Sequence, residues 1–152
     1  MKKVIYFIIF LSTAISLSSQ EIVKTKLTNL GVKKYIIENN PTKNIQSIYT
    51  FNENSTKGGI ILFNLTEIKL DVFATIIQTA TDYTVTSLEP INSNAYNTKM
   101  MGQLLQSFSR WKNIKEKSII DVVSSATKHS RGIYLQIQKA LVDGIVILKT
   151  QK

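Results

Sequence analysis

A chain without cysteine has to hold its shape by burying apolar surface, because disulfides and thiolate metal sites are closed to it. With 152 residues, 43% of them hydrophobic and 19% charged, it has enough apolar material to do so as one small domain. Six glycines and two prolines leave little room for flexible linkers. The pattern of apolar periods described below leads to an expected α+β fold. Its antiparallel sheet has about five or six strands, with about three helices packed on one face.

The first residues have the layout of an export signal. Lys2 and Lys3 precede an unbroken apolar run from Val4 to Leu11, and small or polar residues follow from Ser12 to Ser19. Ala14 and Ser16, or Ser16 and Ser18, have the spacing a signal peptidase reads. The apolar stretch is shorter than the roughly 20 residues a membrane-spanning helix needs. Residues 1–19 are therefore expected to be a cleavable secretory signal, and 20–152 the folded domain. No later segment is apolar enough to span a bilayer. The bias toward isoleucine, lysine, asparagine and threonine suits an AT-rich bacterial genome, so the expected location is the periplasm or the medium.

Beyond the signal, Val23, Thr25 and Leu27 alternate with Lys24 and Lys26, the period of a half-buried strand. Tyr35 to Ile37 is a short strand-like run ending in Glu38-Asn39-Asn40-Pro41, which is turn chemistry. Ile45 to Phe51 is the next strand, and Gly58-Gly59 reads as a turn entering Ile60 to Phe63. The period then turns helical. Asn64 and Glu67 have capping-box spacing ahead of Ile68, Val72, Phe73, Ile76, Ile77 and Ala80, predicting a helix to about Thr81. Tyr83 to Leu88 is a strand stopped by Pro90. Met101, Leu104, Leu105, Phe108 and Trp111 form the apolar stripe of a second helix. Asn113 and Glu116 open a third, carrying Ile119, Ile120, Val122, Val123 and Ala126 and ended by Gly132. Asp143-Gly144 between two β-branched runs predicts a closing hairpin over 133–150. A helix through Ile133, Ile137 and Leu141 is the rival for its first half.

Catalytic constellations are hard to find. His129 is the sole histidine. With Asp121 and Ser124 or Ser125 it forms a row along one helix rather than a convergent triad. Glu38, Glu53, Glu67, Asp71 and Asp82 offer carboxylates for hydrolysis only if the fold gathers them. No cofactor or metal site is expected, since one histidine and scattered single carboxylates make no ligand set. Gly58-Gly59 lacks the spacing of a phosphate-binding loop.

Charge carries more information. Without Lys2 and Lys3, 17 basic and 10 acidic residues leave +7, and eight basic against two acidic residues between Lys99 and Lys139 account for +6 of it. Arg110, Trp111, Lys112, Lys115, Lys117, Lys128 and Arg131 form the candidate binding patch, with an aromatic residue inside a basic cluster. Lysines on solvated helix faces give the same composition, and Trp111 fits equally as the end of an apolar stripe. The expected function is an exported, non-enzymatic binding or assembly protein that contacts anionic envelope polymer or lipid headgroups through the basic region 99–139. The alternatives are an accessory subunit docking on another envelope protein by a sheet edge or the helical hairpin 97–128, and a small hydrolase built on carboxylates.

Overall fold

Ile45 to Glu53 shows why a sheet forms. Its β-branched and aromatic side chains suit a pleated surface, and all residues from Ser47 to Phe51 are buried, so both faces of the strand are covered. The computed structural model describes residues 19–91, 98–124, 126–128 and 130–151, with the backbone alone for 98–103. The expected signal over 1–18 and the loop 92–97 lie outside the described residues. The chain divides into two compact units, 1–33 and 34–152.

In the first unit, 19–29 is a helix, α1, rather than the expected strand. Val23 and Leu27 are four apart and share a face, and both are buried. Thr25 and Thr28 turn their hydroxyls onto the carbonyls of Glu21 and Lys24, each at 2.9 Å, so both hydroxyls are satisfied within the helix. The helix closes on Gly31 at φ 74°, with Val32 N–H donating to Leu27 O and Gly31 N–H to Thr28 O. That is a Schellman stop, and it needs glycine at this position.

The second unit is built on a six-stranded antiparallel meander in the order β1 to β6. The strands are β1 (Ile36–Thr42), β2 (Ile45–Glu53), β3 (Thr56–Leu65), β4 (Leu70–Thr79), β5 (Asp82–Pro90) and β6 (Ile114–Lys115). The helices are α2 (Thr98–Ser109), α3 (Ile119–Ser124) and α4 (Arg131–Thr150). The class is α+β as expected, but several elements differ from the expectation.

β1 runs through the anticipated turn. Asn40 adopts φ 49° inside an irregularity between Asn39 and Thr42, and the reversal falls on Lys43 and Asn44 instead. The expected helix over 64–81 is a tight turn followed by β4. Val72, Ala74 and Ile76 face the core while Phe73 and Thr75, on the other side, are also buried. A strand covered on both faces loses its two-residue alternation, and its apolar run then fits a helical template by chance. Gly58 and Gly59 lie within β3, not in a turn. A Cβ on Gly58 would overlap the Ile76 carbonyl of the neighbouring strand, and one on Gly59 would press on Leu148 at 3.0 Å.

The predicted hairpin over 133–150 is the long helix α4. A glycine inside a helix costs about 1 kcal/mol. Against that, Tyr134, Ile137, Leu141, Ile145 and Leu148 are all buried, each contributing roughly 1.5–3 kcal/mol. Burial wins by a wide margin. Gly144 also lets the helix lie close on the sheet, since a Cβ there would sit 2.9 Å from Ile61 Cγ2. The expected third helix is likewise reshaped. Asn113 takes φ 60°, and β6 and a 3-10 turn (Glu116–Ser118) precede the short α3. Among the described residues of 97–128, β6 and the 3-10 turn interrupt the expected helical hairpin, and Gly132 lies in the first turn of α4 rather than ending a helix.

α2, α3 and α4 contribute Phe108, Ile119, Val123 and the buried face of α4 to one core with Ile48, Ile61, Phe63, Val72, Ala74, Ile76 and Val85 of the sheet. Of the expected α2 stripe, Phe108 is buried, Leu104 half-buried and Leu105 exposed, while the Met101 side chain lies outside the described residues.

Candidate functional site

After α2 the chain turns at Arg110 to Asn113 and adds β6 to the edge of β5, Lys115 pairing with Thr84 and Ile114 with Val85. Three contacts fix how this segment lies on α4. The Trp111 ring meets Tyr134 edge-on at 5.5 Å, and Ser107 Oγ donates to the Tyr134 hydroxyl at 2.7 Å. At the other end, Lys149 Nζ pairs with Glu116 Oε1 at 2.6 Å. Tyr134 and Lys149 are roughly 22 Å apart along a helix rising 1.5 Å per residue. Trp111 and Glu116 therefore meet α4 in its first and last turns.

The six cations of the expected patch, Arg110, Lys112, Lys115, Lys117, Lys128 and Arg131, are all exposed. None has a carboxylate partner among the described residues. They do not form one tight cluster: Lys128 and Arg131 sit at the start of α4, Lys117 is next to Glu116, which reaches Lys149 in the last turn, and Arg110, Lys112 and Lys115 lie on the segment between. A turn over 110–113 followed by β6 stands where a helix–helix junction was expected. The Lys99 side chain and His129 lie outside the described residues.

Trp111 has to be withdrawn from the candidate binding set. It is fully buried in the core, at 0% exposure, and cannot offer a stacking face. Its indole N–H is buried without a hydrogen-bond partner among the described residues.

Backbone charge differs between the two ends of α4. The last carbonyls of α4 carry partial negative charge that favours Lys149. At the first turn the dipole opposes Lys128 and Arg131, and a carboxylate compensates. Gly132 has no side chain, and the space its Cβ would take is filled by the Glu67 carboxylate. Gln136 Nε2 donates to Glu67 Oε1 at 3.3 Å, while Gln136 Oε1 accepts from the Thr66 N–H at 2.9 Å. The end of α4 that would attract an anion is thus occupied by the protein's own.

The carboxylates considered for hydrolysis are spread over the sheet. Glu38 is exposed on the edge strand, and Glu53 Oε2 accepts the Lys34 N–H at 2.9 Å at the far end of β2. Asp71 and Asp82 flank opposite ends of β4, roughly 27 Å apart at 3.3 Å per residue. No group of three histidine or acidic residues is placed to hold a metal among the described residues. On α3, Ser124 Oγ bonds back to the Asp121 carbonyl at 2.8 Å. Ser125 lies outside the described residues.

Comparison with protein-family models, with curated proteins and with solved structures finds no match. No helix among the described residues is long and apolar enough to cross a membrane.

Proposed function

We propose that the chain is an exported, non-catalytic binding protein that holds an anionic polymer of the cell envelope along the cationic ridge running beside α4. The observation that carries this reading is the set of six exposed cations lacking carboxylate partners among the described residues. Unneutralised cations along a ridge of roughly 20 Å suit an extended polyanion better than a compact ligand, because each end meets a separate stretch of the polymer. The interaction is driven by counterion release and weakens as salt rises. Export rests on the layout of residues 1–19.

The decisive measurement is elution from an immobilised anionic polysaccharide. Wild type is expected to elute at a higher salt concentration than K112E/K115E/K117E, and both proteins should unfold at the same urea concentration. Equal elution of the two proteins removes the ridge from the reading. Docking on another envelope protein draws on a different observation. β1 is an edge strand whose Ile36 and Ile37 are 68% and 47% exposed, and such edges accept an added strand. Ile36→Lys is the variant that separates the two, since it blocks strand addition and leaves the ridge intact.

A further inference from the structure

At the sheet edge away from β6, the β1–β2 turn faces the middle of α4 across a cleft of about 460 Å³. Lys43, Asn44, Gln46, Asn64, Gln136 and Lys139 line it, with one aliphatic side chain, Ile45. Its volume falls in the range of roughly 300–1,000 Å³ of small-molecule sites. The orientation of its amides follows from carboxylates set behind them. Asn44 Nδ2 donates to Asp143 Oδ2 at 2.8 Å. Asn64 Nδ2 and Gln46 Nε2 both donate to Asp71 Oδ1, at 2.8 and 3.3 Å. An ionised carboxylate only accepts, so each amide must turn its NH₂ toward it. The three amide oxygens are left without a donor among the described residues.

The cleft thus offers three held acceptors and two ammonium groups. Both lysines are exposed, and neither has a carboxylate partner among the described residues. The matching ligand donates several hydrogen bonds and carries negative charge. A sugar ring bearing a carboxylate does both. A nucleotide base finds no aromatic side chain to stack on, and a metal ion would meet two ammonium groups while the nearby carboxylates are engaged with amides. We propose that this cleft binds a uronate-bearing saccharide. Its hydroxyls donate to the amide oxygens of Asn44, Gln46 and Asn64, and its carboxylate pairs with Lys43 and Lys139. The site does not depend on the cationic ridge.

The test is titration of the full chain, followed by calorimetry and by the side-chain amide NMR signals of Asn44, Asn64 and Gln136. Three probes are compared: a tetrasaccharide of alternating glucuronate and N-acetylglucosamine, neutral chitotetraose, and inorganic phosphate. The acidic tetrasaccharide is expected to give saturable shifts, with chitotetraose and the K43Q/K139Q variant each about tenfold weaker or more, a difference of 1.4 kcal/mol. Because both lysines are exposed, that variant should keep the wild-type urea midpoint. The ridge variant K112E/K115E/K117E should bind the tetrasaccharide as wild type does. Absence of saturable shifts at millimolar tetrasaccharide overturns the proposal. So does equal binding of chitotetraose, or phosphate alone reproducing the shifts at the same affinity.

Discussion

Trp111, in the turn after α2, is packed edge-on against Tyr134 of α4 and has no exposed surface. Trp111→Ala should lower unfolding free energy by roughly 3–5 kcal/mol, the cost of emptying a large aromatic site, read from urea denaturation. Charge reversal at Lys112, one residue on, should change stability by no more than about 0.5 kcal/mol. Two buried tyrosines make a separate prediction. Burial raises the Tyr83 hydroxyl above its ordinary value of 10.0, Lys149 partly reversing this and Glu116 adding to it. Burial likewise raises Tyr49 above 10.0, against a lowering bond from Ser47 and with a small rise from Tyr35. The folded protein therefore keeps these protons at pH values where the unfolded chain loses them. Their contribution is complete below pH 10 and is lost as pH climbs from there through the raised folded values. Tyr83→Phe should flatten the fall in stability above pH 10, measured as urea midpoint against pH.

α4 is the element whose packing organises the second unit. Its two ends are tied by Tyr134 to Ser107 and by Lys149 to Glu116, and its middle by Asp143 to Asn44. The Glu116–Lys149 pair is short but half-exposed, at 33% and 48% side-chain exposure. Pairs of this kind contribute about 1 kcal/mol or less. Glu116→Gln should accordingly leave the urea midpoint almost unchanged. Gly144 is different, because the Ile61 methyl beneath it belongs to a branched, fully buried side chain with little freedom to move. Gly144→Leu should cost about 1–3 kcal/mol through overpacking, whereas Gly144→Ala should cost less, since a gain in helix propensity of up to about 1 kcal/mol offsets part of the overlap. If Gly144→Leu were neutral, the helix would have to stand further from the sheet.

Across the whole molecule, Lys115 on β6 and the amide cleft at the β1–β2 turn lie toward opposite edges of one sheet. Arg131 opens α4, and Glu116, next to Lys117, reaches Lys149 in its last turn, roughly 27 Å further along the helix and beyond the Debye length of about 8 Å at physiological salt. Reversing Lys117 should therefore weaken polyanion binding by an amount that adds to the effect of reversing Arg131. Affinity of the two single variants and their combination, measured at one salt concentration, checks this. Strong non-additivity would mean that a compact ligand bridges the two positions.

Some of this was legible from residues alone. The α+β class, β2, β5 and α2 follow from local period and composition: β-branched and aromatic runs bounded by turn residues or proline, and an apolar stripe at helical spacing. Other elements owe their form to contacts distant in the chain. β4 is covered on both faces, so its apolar run loses the alternation that marks a strand. Asp143-Gly144 favours a hairpin locally, but the Ile61 and Ile76 surface beneath makes glycine an asset in a helix. Lysine count and spacing pointed to a cationic region, yet only the tertiary contacts of Trp111 and Glu116 with α4 bury Trp111 within it. The cleft had no linear signal, since its amides come from two strands, a turn and a helix, and their orientation is set by Asp71, Asp143 and, for Gln136, by the Thr66 N–H and Glu67. Short-range pattern registers a residue's own preference for solvent or core. Which surface covers it, and which distant carboxylate turns its amide, is decided only when the chain closes on itself.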